Sequence, residues 1–446
     1  MGSCQAVCGA ATSGKGLTGR QVAAALKYAS KPSGEEHEER SKLTEDAEKE
    51  QEDNNYEDNM VALEQITEEE CRNGRWLSVL CPYGNGKEPM NVYEYAPDVF
   101  YLLRKLDGFD KKTFADEWDL PNERQDLELS EGRSMALFLE SKSKHLLCKI
   151  IAKVEVDVLL HLLPRYAKHF HEHSNTLLMR FYMLLRVEVR GELGYVLCFG
   201  DVFAPCRTLN EKWDLKGRRP KPGKYKHFAK LFQHPYDSTT GQSTTPGTDT
   251  TQYFPSGTGI SGLKGMPKAT DKNKLATKKD KDLTRYFWLD KEQREKLLLT
   301  LRDDCKFLAS VGLMDYSLLI GVAYEEKGIS NPTKRLRSMR MPYPRCRPPE
   351  GAMENRPEWT MKYGGEREFS EGIFSLYNQE VYYIGVIDVL TPYTFKKKLA
   401  KLFKSFLWRM DTLSTIPPLK YCERILQFTE DIFRSHVDGK IPPPEK

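Results

Sequence analysis

The chain has 446 residues, a formal net charge of +4 and 39% hydrophobic residues. Its ten cysteines include no CxxC pair, which excludes the usual zinc and dithiol redox motifs and favours a reducing, cytoplasmic compartment. No stretch approaches the roughly 20 apolar residues needed to span a bilayer, so we expect any membrane contact to be peripheral.

Residues 1–70 are rich in small, polar and charged residues, and this composition predicts disorder. Within them, residues 35–58 carry 12 acids and 3 bases, a net charge of −9, which leaves +13 on the rest of the chain. A basic body favours anionic partners such as membrane surfaces, nucleic acid or phosphates, although a solubilising acidic tail explains the same asymmetry. The run from Gly9 to Lys15 has P-loop spacing, but Gly16 replaces the magnesium-binding Ser or Thr and no strand precedes it. We interpret that run as a coincidence.

Apolar periodicity and turn residues predict an ordered region that begins near residue 71. In the first half of the chain the predicted elements are a helix at 92–106, a hairpin at 136–154, a helix at about 155–163 just before Pro164, and strands at 179–189 and 194–205. In the second half they are a helix at 291–310, strands at 313–323 and 380–390, and helices at 395–408 and 418–434. Asp290 and Gln293 form a predicted capping box at the start of the helix at 291–310. Stretches at 235–278 and 326–368 predict solvated insertions. This order predicts an α+β fold of two lobes, a β-rich N-lobe at about 71–206 and a larger α/β C-lobe at about 207–438.

Charged residues in apolar surroundings indicate phosphoryl transfer. Lys149 lies on an apolar strand and Glu155 follows where a helix begins, as in kinases, which hold a lysine against nucleotide phosphates with an acid; Asp157 is close enough to compete with Glu155. Asp315 and Asp388 are each the lone acid of an apolar strand, and a buried carboxylate is costly without a cation or metal. Each feature alone has a structural explanation, such as a snorkelling lysine or a turn-capping aspartate. Together, in this chain order, they favour phosphoryl transfer.

The motifs LMDYSLLIGV, WDLKG and IGVIDVL resemble those of the phosphatidylinositol phosphate kinases. The resemblance continues through EYAPDVFYLLRKL, KIIAKV, LLHLLPRY and TLSTIPPLKYCERILQF, and it covers most of residues 90–436 outside the insertions. It is greatest to a divergent branch beside the type I phosphatidylinositol 4-phosphate 5-kinases. The resemblance implies a two-lobed lipid-kinase fold and the use of ATP and Mg²⁺.

The resemblance also implies a role for each matching residue. Lys149 would contact the nucleotide, with Glu155 as its partner. Lys216 would contact a phosphate, and Lys216 and Asp214 would both belong to the catalytic group. Asp315 would be the catalytic aspartate and Asp388 the magnesium ligand. Lys279 and Asp280 would lie near the cleft.

The segment 395–409 predicts a basic amphipathic helix that suits an anionic bilayer surface. An ordinary core helix with a solvated basic face is the alternative, and the resemblance favours the membrane interpretation because the segment corresponds to the family's membrane-contacting activation loop. Its lysines are Lys396, Lys397, Lys398, Lys401 and Lys404. We therefore expect a cytoplasmic protein, peripheral at the plasma membrane, with a phosphoinositide surface as partner. No nucleic acid is expected, since the basic insertions lack interleaved aromatic residues.

Three positions depart from the family pattern; the first two affect nucleotide contacts and predict weak intrinsic activity, and the third leaves the substrate preference open. Arg218 follows DLKG where the family has serine, Met135 follows Ser134 where a glycine is usual, and Ala400 replaces a glutamate associated with substrate choice. The alternative function is a catalytically poor membrane scaffold that recruits type I phosphatidylinositol 4-phosphate 5-kinases.

Overall fold

The computed structural model describes residues 16–31, 61–83, 86–129, 137–204, 209–218, 275–324, 369, 372–375, 380–393 and 416–435. Its helices with both ends in these ranges are α1 (Gly19–Ala29), α2 (Pro97–Leu106), α3 (Lys111–Glu117), α4 (Lys153–Glu172), α5 (Lys291–Ser310) and α6 (Pro418–Ile432). Residues 61–64 are also helical. The predicted helix at 395–408 lies outside the described residues.

The first sheet contains seven antiparallel strands from the N-terminal half of the chain, in the order β1-β2-β6-β7-β5-β4-β3. The strands are β1 (Gly74–Tyr83), β2 (Gly86–Tyr95), β3 (Glu128–Leu129), β4 (Leu137–Glu140), β5 (Leu146–Ile151), β6 (Phe181–Val189) and β7 (Glu192–Gly200). The predicted hairpin at 136–154 is confirmed as β4 and β5, which pair antiparallel with Phe138 opposite Lys149.

The second sheet contains five strands in the order β12-β13-β11-β8-β9, all antiparallel neighbours except the parallel pair β8 and β9. They are β8 (Glu211–Leu215), β9 (Thr277–Lys279), β11 (Ser317–Tyr324), β12 (Ile373–Phe374) and β13 (Glu380–Ile387), and a separate parallel pair joins β10 (Phe287–Leu289) to β14 (Phe433–Ser435). Helices α5 and α6 belong to the same half of the chain. The predicted α+β, two-lobed architecture is confirmed.

One hydrophobic core connects the two sheets. Leu184 and Leu197 of the first sheet and Leu318 of the second belong to the same buried cluster. A backbone junction reinforces it, since the Met179 N–H donates to the Val386 carbonyl (2.9 Å) and the Val386 N–H donates to the Leu177 carbonyl (2.7 Å). The end of β13 therefore lies where the two halves meet.

Local structure departs from the sequence prediction in three helices. Helix α1 forms within the range for which we predicted disorder, because Thr18 caps it and Val22 and Leu26 are fully buried. Helix α4 continues through Pro164 to Glu172, since burial of its apolar face outweighs the one hydrogen bond that proline removes.

The third departure concerns residues 92–95, which belong to β2 rather than to the predicted helix, and α2 starts at Pro97.

The Asp290 cap of α5 is confirmed, with the Gln293 N–H donating to its carboxylate at 2.9 Å. The predicted reciprocal bond is absent, since Gln293 Oε1 has no hydrogen-bond partner. Among the described residues, no helix has the length and apolar character to cross a membrane.

Candidate active site

Four neighbouring strands of the second sheet bring charged residues to one edge. Strand β8 ends just before Lys216, β9 ends just before Asp280, β11 begins just after Asp315 and Tyr316, and β13 ends just before Asp388. The register places these ends together, because Leu318 lies opposite Leu215 and Ser317 lies opposite Ile387. We name this group the edge cluster: Lys216, Asp280, Asp315 and Asp388.

The two aspartates are not inside strands, which corrects the sequence interpretation. Asp315 precedes β11 and Asp388 follows β13, both with left-handed backbone (φ 63° and 59°). Aspartate tolerates this conformation better than most residues because its short side chain forms local hydrogen bonds. Asp388 is exposed, and the side chain of Asp315 is 31% exposed. Both carboxylates are therefore accessible to a ligand.

Asp280 organises the turn that carries Lys216. One of its carboxylate oxygens accepts the backbone N–H groups of Lys216 (2.9 Å) and Arg218 (3.2 Å). Burial raises the pKa of Asp280, and these two hydrogen bonds oppose the rise. The carboxylate thus holds the backbone on both sides of Gly217, and its role near a nucleotide cleft stays a prediction.

Gly217 allows this turn to pack tightly against α6. Its φ is +63°, and a Cβ atom here would lie 3.2 Å from Phe428 Cβ and 3.4 Å from Ile425 Cδ1. Any side chain would add backbone strain and crowding at the same point.

Helix α6 contributes two residues to the site that the sequence analysis did not single out. Arg424 Nη2 donates to the Lys216 carbonyl (3.1 Å), and the Tyr421 hydroxyl donates to the Tyr316 carbonyl. Burial lowers the pKa of Arg424, with nearby Arg218 acting in the same direction. The spacing of Tyr421, Arg424, Ile425 and Phe428 on one helical face was the available sequence signal.

Asp315 is held by two cations. Its Oδ1 lies 3.4 Å from Lys216 Nζ and 3.1 Å from Arg218 Nη2. Lys216 Nζ also donates to the Asp315 backbone carbonyl. The structure therefore brings together Asp315, Lys216 and Arg218, the residue that stands where the family has serine.

Lys279 and Asp214 form a neighbouring pair on β9 and β8. Lys279 Nζ lies 3.7 Å from Asp214 Oδ2, and the other oxygen of Asp214 is buried without a hydrogen-bond partner among the described residues. The two residues are register partners. Lys279 consequently balances Asp214 beside the edge cluster.

Lys149 lies on the other sheet, on β5, and its Nζ is 3.5 Å from Glu155 Oε1. Glu155 also accepts the Ala152 N–H (2.9 Å) at the start of α4. Asp157, the alternative partner, pairs with Lys153 instead. Lys149 therefore contacts Glu155, as in the first of the two sequence hypotheses.

The remaining predicted residues lie outside the described part of the chain. These are Met135, Ala400 and the lysines Lys396, Lys397, Lys398, Lys401 and Lys404. Within the described ranges, no group of three or more His, Cys, Asp or Glu side chains forms a metal site.

Comparison with known proteins gives a consistent family, although the relatives differ in the hydroxyl that their names specify. The sequence profile of the family described as "Phosphatidylinositol-4-phosphate 5-Kinase" matches residues 121–432, well over half of the chain. Phosphatidylinositol 5-phosphate 4-kinase type-2 gamma of Xenopus tropicalis is 27% identical over 76% of this chain and 75% of its own length. Phosphatidylinositol 4-phosphate 5-kinase type-1 alpha of Mus musculus is 28% identical, covering 79% of this chain and 59% of its own length. Phosphatidylinositol 4-phosphate 5-kinase 8 of Arabidopsis thaliana is 24% identical, and the aligned region spans about half (47%) of that protein.

Proposed function

This chain belongs to the phosphatidylinositol-4-phosphate 5-kinase family, and we propose that it phosphorylates phosphatidylinositol 4-phosphate at the 5-hydroxyl, with low intrinsic activity. The convergence of Lys216, Asp315 and Asp388 at one edge of the second sheet carries the proposal. Phosphoryl transfer is catalysed mainly by positioning and by stabilising negative charge. This edge offers a cation, a carboxylate that can accept a proton and a second carboxylate that can bind a metal ion.

Each side chain then has a defined task. Asp315 orients the lipid hydroxyl and accepts its proton, which requires an oxygen within hydrogen-bond reach of that hydroxyl. Lys216 neutralises charge on the transferred phosphate. Lys149, oriented by Glu155, binds the phosphates of ATP from the first sheet.

Asp388 would hold the magnesium ion. Mg²⁺ is commonly bound by one or two carboxylates together with the phosphates of a substrate rather than by a cage of protein ligands. A single exposed carboxylate at the end of a strand fits that mode and fits the lack of a three-ligand cluster among the described residues. The ion would supply charge neutralisation for the nucleotide phosphates.

The low activity is attributed to Arg218. Its guanidinium lies 3.1 Å from Asp315 Oδ1, so one face of the proposed base is already engaged. A substrate hydroxyl must compete with this ion pair before transfer.

An assay on vesicles containing phosphatidylinositol 4-phosphate tests the proposal. We expect slow turnover that Asp388→Asn abolishes, while Glu423→Gln, an exposed acid on α6, retains it. Vesicles containing phosphatidylinositol or phosphatidylinositol 5-phosphate define the substrate. Turnover equal to that of a type I enzyme would refute low activity, and turnover that survives Asp388→Asn would refute the site.

The Arg218–Asp315 pair also favours a second candidate, a membrane scaffold that recruits type I phosphatidylinositol 4-phosphate 5-kinases to the plasma membrane. In this function the lysines of segment 395–409 bind the phosphoinositide surface, where each basic residue contributes about 1 kcal/mol. A double variant, Asp315→Asn with Asp388→Asn, should still co-localise with a type I kinase. Failure of the unmodified chain to bind any type I kinase would eliminate this candidate.

A further inference from the structure

Arg218 belongs to the turn around Gly217 that carries Lys216 of the edge cluster, and both its backbone and its side chain are hydrogen-bonded there. Its backbone N–H donates to the buried Asp280 carboxylate (3.2 Å), and its Nη2 donates to Asp315 Oδ1 (3.1 Å). Lys216 Nζ lies 3.4 Å from the same Asp315 oxygen. Two cations therefore share one carboxylate oxygen, which neutralises only one of their two charges.

The Arg218 guanidinium has an N–H donor that is not used in a hydrogen bond among the described residues. Its Nε is buried and has no hydrogen-bond partner among the described residues, although the side chain as a whole is 36% exposed. Buried donors without partners are rare in proteins and call for an explanation. A ligand that offers several acceptor oxygens would satisfy this donor once the side chain turns away from Asp315.

A phosphate monoester is the ligand chemistry that fits. It carries about −1.5 to −2 charges at neutral pH and three strong acceptor oxygens. The planar fork of arginine binds such a group through two parallel hydrogen bonds, whereas lysine acts as a point charge. The dianion offers Arg218 more charge and more acceptors than the single Asp315 oxygen that it now shares.

We propose that Arg218 exchanges partners: it pairs with Asp315 in the free protein and with a phosphate monoester of the bound ligand, which releases Asp315. The inference rests on the proposed lipid-kinase function and deepens it, because a ligand without a monoester phosphate would leave Asp315 engaged. Two sources can supply a terminal phosphate dianion at the edge cluster: the monoester phosphate of the lipid headgroup, and the γ-phosphate of ATP, which is an anhydride but offers similar charge and three acceptor oxygens.

Binding to the full chain, measured by calorimetry, separates these sources without any need for turnover. The probes are glycerophosphoinositol 4-phosphate, glycerophosphoinositol, which lacks the monoester, and ATP compared with ADP. We expect the unmodified chain to prefer the phosphorylated headgroup about tenfold, the effect of one good charge-assisted contact. Arg218→Ser should reduce this preference to about twofold, and Arg218→Lys should give an intermediate value.

Arg302→Ser, on the exposed surface of α5, is the matched control and should leave every ratio unchanged. If Arg218→Ser instead removes a preference for ATP over ADP, the phosphate that Arg218 binds is that of the nucleotide. If it changes neither ratio, the proposal is wrong. Thermal melting of each variant identifies a loss of binding caused by misfolding, and Arg218→Lys retains the cation if Arg218→Ser fails to fold.

A double-mutant cycle tests the exchange itself. Asp315→Asn removes the competing carboxylate and should strengthen headgroup binding about fivefold when Arg218 is present, but less than twofold in the Arg218→Ser background. An equal gain in both backgrounds would show a general charge effect and would overturn the exchange. Because these experiments measure binding, a chain without kinase activity can still give the expected results, and the inference would then stand without the proposed function. If the chain is an active kinase but the cycle shows no coupling between Arg218 and Asp315, only this inference is refuted.

Discussion

At the scale of single residues, Arg218 affects both steps of the proposed reaction. Its ion pair with Asp315 restrains the base, and its guanidinium attracts substrate phosphate. Because the bound 4-phosphate and Asp315 compete for the same guanidinium, both pairings are populated in the bound state. Arg218→Ser should therefore raise kcat several-fold, by freeing Asp315 completely, and also raise KM for phosphatidylinositol 4-phosphate. Steady-state kinetics on vesicles measure the two parameters separately, with Arg302→Ser as the control. A fall in kcat would show that Arg218 assists transfer instead of restraining Asp315.

Asp201, in the segment between β7 and β8, predicts a pH dependence of stability. Burial raises its pKa from 3.8 to about 6, although the Phe203 N–H donates to its carboxylate at 3.0 Å. The native state therefore binds the proton more tightly than the unfolded chain, and this stabilisation is complete below about pH 4 and is lost as pH rises through about 6.

Asp201→Asn should accordingly stabilise the protein at pH 7.5, and the gain should shrink between pH 6 and 4. Melting temperatures across this range measure the effect. Asp119→Asn is a control of opposite sign, because a hydrogen bond from Lys27 lowers the pKa of Asp119. A gain for Asp201→Asn that is constant across this pH range would exclude titration of Asp201 as its cause.

At the scale of secondary-structure elements, Asp304 joins α5 to the end of α4 and to the segment before β6. The fully buried carboxylate lies 2.8 Å from His169 Nε2, accepts the Leu177 N–H at 2.8 Å and accepts the Thr176 hydroxyl. Asp304→Ala would leave these groups unsatisfied, at a cost of about 3 kcal/mol in the free energy of unfolding. Denaturant unfolding should show little change for Asp303→Ala, the partly exposed neighbour. Equal losses for the two variants would contradict the role of Asp304.

Elements with strong local signals could be predicted from sequence, and those decided by packing could not. The Asp290 cap and the apolar period fixed α5 at Lys291–Ser310, as predicted. Helix α4 continues past Pro164 only because tertiary contacts bury Tyr166 and Phe170, which local propensity does not report. Helix α1 depends on burial of Leu26 against the first sheet, and its surrounding polar sequence hid that contact.

The candidate site shows the same division. Lone acids next to apolar strands indicated Asp315 and Asp388, yet their position just beyond the strand ends depends on the register of β11 against β13. Asp280 and Arg424 bind backbone atoms of a turn more than 60 residues away in sequence. The spacing on α6 marks a buried face that includes Arg424, and the family resemblance marked Asp280, but no local pattern shows which backbone atoms these side chains bind. The sequence therefore indicated candidate residues but not the contacts that position them.

At the scale of the whole molecule, the proposed site draws on both sheets. Lys149 belongs to the first sheet, whereas the edge cluster belongs to the second, and the β13 junction at Val386 joins them. A nucleotide that contacts both should bind only the folded two-lobed protein and should raise its melting temperature in proportion to RT ln(1 + [L]/Kd). ATP is thus a probe of the assembled site that is independent of turnover.

Lys149→Met should weaken ATP binding at least tenfold and remove about 1.4 kcal/mol of this stabilisation at a fixed, saturating ATP concentration. The melting temperature without ligand should change little, because Glu155 retains its hydrogen bond from the Ala152 N–H. Lys153→Met is the matched control. Lys153 lies four residues after Lys149 in the chain and pairs with Asp157 on the exposed side of α4. Thermal shifts measured with ATP and Mg²⁺ compare the three proteins. If Lys149→Met retained the full shift, the first sheet would play no part in nucleotide binding, and the two-lobed site would reduce to the edge cluster alone.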